Sequence, residues 1–276
     1  GLIGRPVSHS ISPHIHNAAN AQANLNAVFL PFEANDIDAF IRRMVRPSSR
    51  EIEWNLRGLS VTAPHKSAVM GHLDWIEPGS REIGAVNTIV FSGGQLHGYN
   101  TDAGGFIAPL RSRIASLESL RCAVIGTGGA ARAVVWALRN CGADVAVFAR
   151  DCDRAKAFSD QFKVACHDLA AADLRGFNVV VNATPLGTRG EGEDETPAVA
   201  EQLRGVRLAY DLVYNPLETR FMREARAAGC ETIGGLEMLI AQAVEQFKLW
   251  IGKTPNIEAM RVAAERALKR SVHAHT

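Results

Sequence analysis

The sequence predicts an α/β fold of two domains, one of them a Rossmann-type, doubly wound parallel sheet. Three observations carry that expectation. A chain of 276 residues is long enough for about two separate cores. Residues 120–154, LRCAVIGTGGAARAVVWALRNCGADVAVFARDCDR, read as one β-α-β unit. Further short apolar runs at 164–166, 178–182 and 208–213 repeat the strand signal, with helices expected between them.

Within the β-α-β unit, Ala123, Val124 and Ile125 form an apolar run suited to a strand buried on both faces, and it stops at Gly126. Ala130, Ala133, Val134, Ala137 and Leu138 then recur at helical spacing, and Gly142 supplies the residue that ends such a helix. A second strand is expected over 143–148. Between strand and helix, Gly126, Gly128 and Ala131 fit the dinucleotide fingerprint G-x-G-x-x-G/A, with Gly129 and Ala130 at the helix start. The first small residue permits the tight turn, the second lets backbone approach a pyrophosphate, and the third allows close helix-strand packing. Free N–H groups at the helix start attract the anion. After the second strand come Arg150 and Arg154, whose planar guanidinium groups suit the 2'-phosphate of NADP. Asp151 has two other roles open to it, capping the next helix or accepting a ribose hydroxyl, and it leaves room for NAD.

Hydrophobic residues make up 47% of the chain and charged residues 21%, the balance of a soluble globular protein. A net charge of +1 without a basic stripe argues against a nucleic-acid surface. No apolar run reaches the length of a membrane span. The 5 cysteines are scattered without a C-x-x-C pair, so neither a disulfide framework nor a zinc knuckle is expected, and a reducing, cytoplasmic setting fits. His14 and His16 cannot share one helix face, so no metal site is expected. Gly1 opens the chain inside a strand-like segment with no initiating Met, the form of a fragment of a longer chain.

In chain order, residues 1–5 read as the end of a strand, and Ser12-Pro13 as a helix start with Ser at the N-cap, the helix running to about Asn24. A strand is expected over 28–33 and a helix over 36–45, opened by Asp36 as its cap. Residues 57–62 read as a strand and 66–73 as a helix, which puts Lys66 near a strand's carboxyl end, where α/β sheets place their chemistry. Residues 83–91 lead through a Gly93-Gly94 hairpin turn into a return strand over 95–99. Gly104-Gly105 then reads as a hinge into the nucleotide domain, followed by a helix to about Ile114. The loop 188–196, TRGEGEDET, is polar, acidic and expected to be mobile. A last short strand over 232–235 precedes a mostly apolar helix over 236–251, expected to be buried against both domains, and an amphipathic one from Ile257 to about Arg270 that packs back on the first domain.

Several motifs now line up: Ser10-x-Ser12, GLSVTAPHK ending at Lys66, GAVNT, GYNTD ending at Asp102, GTGGAAR, NATPLG from Asn182, DLVYNP and GLEMLIAQ ending at Gln242. On these, over nearly its whole length, the chain resembles the shikimate dehydrogenase family. The spelling of SVTAPHK and GLEMLIAQAVEQF is especially similar to the dehydrogenase half of plant-type bifunctional dehydroquinate dehydratase/shikimate dehydrogenase enzymes, which would place a dehydroquinate dehydratase domain in a longer parent chain.

The resemblance implies NADP-dependent reduction of 3-dehydroshikimate to shikimate, in aromatic amino-acid (chorismate) biosynthesis. It implies a catalytic pair, Lys66 and Asp102, with the lysine stabilising and protonating the oxyanion that hydride addition leaves. It places Ser10, Ser12, Thr62, Asn87, Asp102, Tyr214 and Gln242 at the substrate, the two serines and Thr62 holding its carboxylate. Asn182, Thr184 and Leu212 line the nicotinamide end, and Gly235 approaches the ring through its backbone. Ser60 departs from the family, where many members carry Asn. The cofactor loop departs too, reading ARDCDR where N-R-T-x-x-R is common.

The implied architecture is two α/β domains with an interdomain cleft. Residues 1–103, completed by C-terminal helices over 237–276, form a discontinuous substrate-binding domain, and 104–236 form the NADP-binding domain. Closure of the cleft around the Gly104-Gly105 hinge would exclude water from the hydride. Two rivals stand beside this reading: a quinate/shikimate dehydrogenase with relaxed cofactor use, and a non-catalytic homologue that senses NADP or shikimate. Retention of Lys66 and Asp102 speaks for the enzyme, since a sensor has no need of a proton-transfer pair.

Overall fold

The computed structural model describes residues 1–190 and 192–273, with side chains to residue 270. Glu191, in the acidic loop 188–196, and the last three positions of the segment 237–276 lie outside the described residues. The chain forms two compact α/β units, one built from Gly1–Thr101 with Gln242–Thr276 and the other from Asp102–Ala241.

The first unit runs β1 (Leu2–Gly4), α1 (Ser12–Gln22), β2 (Pro31–Glu33), α2 (Ile37–Phe40, continued by a π turn Ile41–Val45), β3 (Gly58–Val61), β4 (Trp75–Ile76), α3 (Pro78–Ile83), β5 (Thr88–Ser92) and β6 (Gln95–Tyr99). Its six-stranded sheet has the order β2-β1-β3-β5-β6-β4. The β2-β1-β3 half is parallel, whereas β5 runs antiparallel to both β3 and β6. The turn between β5 and β6 uses Gly93 and Gly94 at φ 57° and 83°, as the hairpin reading requires. Asp36 caps α2 as expected, its carboxylate accepting from Ala39 N–H at 3.0 Å.

The second unit continues with α4 (Thr101–Arg111), β7 (Arg121–Ile125), α5 (Gly129–Asn140), β8 (Asp144–Ala149), α6 (Lys156–Phe162), β9 (Ala165–Asp168), β10 (Val179–Asn182), β11 (Leu208–Asp211), α7 (Arg220–Ala227) and β12 (Glu231–Ile233). Its six strands are ordered β12-β11-β10-β7-β8-β9 and all are parallel. β10 and β11 are buried along their whole length, which is why they read as unbroken apolar runs. α5 buries Ala133, Val134, Ala137 and Leu138 of the face its spacing marks out, together with Ala131 and Val135, whereas Ala130 is only half-buried. Chain order reverses between β7 and β10, so the carboxyl ends of these two strands frame the switch point of the sheet. The chain then returns to the first unit through α8 (Gly235–Ile251) and α9 (Ile257–His273), the latter packing against α1. Among the described residues, no helix is long and apolar enough to cross a membrane.

Five local expectations are corrected. The strand over 28–33 shortens to β2 because Asn17 satisfies the Phe29 backbone in both directions, at 2.7 and 3.0 Å, leaving Val28 and Leu30 on the surface. The helix over 66–73 contracts to a 3-10 turn at Ala68–His72, since Val86 N–H takes the Lys66 carbonyl at 2.8 Å and removes it from any helical bond. Ser12 is the first helical residue rather than the N-cap, which is Ile11; the Ser10 hydroxyl accepts from Ser12 N–H at 3.2 Å instead. Gly104 and Gly105 are not a loop hinge but lie inside α4, because Asn87 Oδ1 accepts Thr101 N–H at 2.8 Å and starts the helix there. Finally, the described residues between β10 and β11 form turns and no helix.

Candidate active site

The dinucleotide turn sits at the switch point. Ile125 and Asn182 are register partners at the ends of β7 and β10. Gly126 turns with φ 112°, and a Cβ there would stand 3.0 Å from the Ala183 carbonyl oxygen, so two constraints demand glycine. Gly128 is the N-cap of α5, exposed, and a Cβ on it would meet nothing within 4 Å. Open space over Gly128, with Gly129, Ala130 and Ala131 presenting helix-start N–H groups, is what close approach of a pyrophosphate needs. The residues present therefore fit a dinucleotide. Ala131, fully buried, gives the close helix-strand contact.

Arg150 and Arg154 are both exposed beyond β8. Asp151 does not cap α6, whose N-cap is Ala155. Its Oδ1 accepts Arg154 N–H at 3.0 Å, holding a turn ahead of α6 rather than the helix itself.

The other side of the switch point is a hydrogen-bonded lattice. Asn182 Oδ1 accepts both the N–H and the hydroxyl of Thr184, at 3.0 and 2.6 Å, and Thr184 Oγ1 accepts Leu186 N–H at 3.2 Å. Leu212 N–H donates to the Asn182 carbonyl at 3.0 Å. Gly235 packs its Cα so closely on the Leu212 and Val213 carbonyls that any side chain would collide with them. Beneath these residues lies Asp211, fully buried, accepting from Asn182 Nδ2 at 2.9 Å, from Val213 N–H at 3.0 Å and from the Thr219 hydroxyl. Burial pushes its carboxyl up to about 6 although all three bonds favour the charged form. Half-buried Tyr214 follows three residues later, its hydroxyl also shifted upward by burial.

In the first unit, Ser10 and Ser12 stand together at the start of α1, and Thr62 lies just past β3, beside Gly4, where a larger residue would strike its methyl group. Lys66 follows within the same loop, half-buried. Asn87 is buried and hydrogen-bonded through both ends of its amide: its Nδ2 donates to Thr101 Oγ1 at 3.0 Å and its Oδ1 accepts from Thr88 Oγ1 at 2.8 Å. Thr101 Oγ1 in turn reaches Gln242 Oε1 at 3.5 Å, so Asn87 and Gln242 share one network. Behind it stands Gln246, one helical turn beyond Gln242, accepting from Ser60 Oγ at 2.8 Å and donating to Thr88 Oγ1 at 3.0 Å. His16 Nε2 lies 3.2 Å from the same Gln246 oxygen, and its ring stacks on Phe29 at 4.4 Å; burial lowers its pKa to about 3. Buried Asp102 opens the second unit in the first turn of α4.

Sequence reasoning missed Asp211, Thr88, Thr101 and Gln246. Two signals were available. Gln246 repeats Gln242 at i+4 in a mostly apolar helix, and Asp211 ends an apolar strand at a sheet's carboxyl edge, where a carboxylate needs partners.

A parallel sheet with an open dinucleotide turn, joined to an α/β unit that gathers hydroxyls, amides and a lysine, defines the class as an NAD(P)-dependent oxidoreductase. Comparison with known proteins narrows it. The family profile described as "Shikimate dehydrogenase substrate binding domain" matches residues 2–89, "Putative NAD(P)-binding" matches 114–190, and "Shikimate 5'-dehydrogenase C-terminal domain" matches 235–265. A Pelobacter propionicus protein named shikimate dehydrogenase (NADP(+)) is 39% identical over 257 residues, covering 92% of this chain and 90% of its own. A Thermus thermophilus protein of that name is 39% identical over 267 residues, 97% of each chain. A crystal structure of the Thermus thermophilus enzyme in complex with NADP(H) and shikimate superposes with a TM-score of 0.86 at 38% identity, covering 97% of this chain and 98% of that one. The chain belongs to the shikimate dehydrogenase family.

Proposed function

We propose that this chain catalyses the reversible NADP-dependent reduction of 3-dehydroshikimate to shikimate, a step toward chorismate and the aromatic amino acids. The observation that carries the reading is the open Gly126-Gly128 turn beside the Asn182-Asp211 lattice at one switch point, in a chain whose relatives bear this activity in their names. NADPH, when bound, supplies a hydride for the C3 carbonyl carbon. Arg150 and Arg154 hold its 2'-phosphate and the helix-start N–H groups of α5 its pyrophosphate. Asn182, Thr184, Leu212 and Gly235 form the rim for the nicotinamide.

On the substrate, Ser10, Ser12 and Thr62 bind the ring carboxylate through their hydroxyls, and Asn87, Gln242 and Tyr214 address the ring hydroxyls. Lys66 donates a hydrogen bond to the C3 oxygen and passes it a proton as the carbon is reduced, so that one hydride and one proton complete the alcohol. Asp102 orients the Lys66 ammonium and binds a ring hydroxyl. The substrate half is assigned to residues 1–103 with 237–276, and the cofactor half to 104–236. All five cysteines are free thiols, which fits a reducing compartment such as the cytoplasm. Fusion to a dehydroquinate dehydratase rests on the motif spelling alone, and the assay needs no second domain. The test is the absorbance of NADPH on mixing the purified chain with 3-dehydroshikimate, with NADH run in parallel. Rapid, NADPH-selective oxidation is expected; no oxidation of either cofactor by a folded chain would overturn the reading.

A further inference from the structure

Asp211 ties together three stretches that are remote in sequence. Its Oδ1 receives two donors, Asn182 Nδ2 at 2.9 Å and Val213 N–H at 3.0 Å, and its Oδ2 receives the Thr219 hydroxyl. Each donor belongs to a different piece of structure. Asn182 ends β10 and fixes Thr184; Val213 lies between Leu212 and Tyr214; Thr219 is the N-cap of α7, accepting Met222 N–H at 3.2 Å. Because the Thr219 proton points at Asp211, its lone pairs are left for the helix N–H. The side chain is fully buried, so it acts on a ligand only through these neighbours.

We propose that Asp211 is the positioning residue for the nicotinamide-side rim, setting Asn182, Thr184, Leu212 and Tyr214 in a single register from beneath. The proposal deepens the functional reading given above and rests on it. A buried carboxylate with three donors is a junction: remove it, and Val213 N–H and one Asn182 Nδ2 proton are orphaned in the interior, leaving the Asn182 amide held by Thr184 and by its 3.2 Å bond to the Leu186 carbonyl alone. Asparagine is the informative replacement. Its Oδ1 can keep both Oδ1 donors, while its Nδ2 donates to Thr219 Oγ1, which reverses one bond and preserves all three contacts.

The test separates the two ends of the cofactor. Binding of NADPH and of 2',5'-ADP, which has the adenosine and phosphate end without nicotinamide, is measured by calorimetry on the full chain carrying Asp211→Ala, Asp211→Asn or Thr219→Val. Asp211→Ala is expected to weaken NADPH about tenfold, the cost of orphaning one or two buried donors, and to leave 2',5'-ADP within about twofold. Asp211→Asn restores NADPH to within about threefold of wild type, since the contacts survive. Should Asp211→Ala fail to fold, Thr219→Val, which loses the bond to Asp211 and the cap on Met222 N–H but keeps both Oδ1 donors, is expected to weaken NADPH about threefold with the same indifference of 2',5'-ADP. Parallel weakening of both ligands, unchanged NADPH binding in every variant, or Asp211→Asn no better than Asp211→Ala would each overturn the assignment while leaving the dehydrogenase reading intact. A wild-type chain that binds neither ligand overturns the dehydrogenase reading, and this proposal with it.

Discussion

Ser60 donates a 2.8 Å hydrogen bond to Gln246, joining a strand near the start of the chain to a helix near its end. Gln246 spends its amide on Thr88 Oγ1 and the Asn87 carbonyl, at 3.0 and 3.3 Å. Ser60, where many relatives are expected to carry Asn, is therefore a brace behind Asn87. Ser60→Ala should cost about 1 kcal/mol of stability and raise KM for 3-dehydroshikimate a few-fold, with NADPH affinity unchanged. Urea unfolding and initial rates check it, and an unchanged KM would count against the brace.

Two buried groups give the protein opposed responses to acid. His16 is held neutral by burial, its pKa lowered to about 3 against 6.5 unfolded, so its contribution to stability is present above about pH 6.5 and lost as pH falls toward 3. Asp211 is shifted the other way, from 3.8 up to about 6; its neutral form is favoured in the fold, so its contribution is present below about pH 4 and lost as pH rises through 6. Asp211→Asn cannot ionise. Relative to wild type it should gain on the order of 2–3 kcal/mol between pH 4 and pH 7. Urea midpoints of the two proteins across that range provide the measurement, and a pH-independent difference is the result that contradicts it.

Lys66→Ala should lower kcat by roughly 100- to 10,000-fold, the usual size of a lost general acid, with NADPH affinity within about twofold. Single-turnover rates separate chemistry from binding. Normal turnover in the variant would remove Lys66 from the proton path.

Arg150→Ala should weaken NADPH about tenfold and leave NADH nearly untouched, because only the 2'-phosphate is lost from the interaction. The ratio of kcat/KM for the two cofactors reads this directly. An unchanged ratio would assign the phosphate to other groups.

The Rossmann unit was legible because its signals are local: a run of buried apolar residues, two glycines at fixed offsets, and helical spacing after them. Gly126 and Gly128 stand where those offsets put them, and α5 covers nearly the expected residues. What failed was local preference overridden by a distant partner. The Lys66 carbonyl is claimed by Val86, the Phe29 backbone by Asn17, and the start of α4 by Asn87; neither member of any such pair announces the other. The partners of Asp211 were illegible for the same reason. Asp211 meets Asn182 from 29 residues away, and a lone acidic residue closing a strand reads as an ordinary cap until its neighbours are known.

The interrupted path of the first unit has a bearing on how the protein is made. Ser60 and Gln246 are 186 residues apart, so at about 5–20 residues per second a ribosome delivers the second roughly 10–40 s after the first. For that interval the nascent first unit holds a serine on β3 and a histidine on α1 whose shared partner has not yet been synthesised. The nucleotide unit, contiguous from Asp102 to Ala241, emerges whole in the meantime. Closure of the Ser60-Gln246 brace therefore waits until the whole second unit has been synthesised, and protease challenge of stalled nascent chains would reveal the sequence of events.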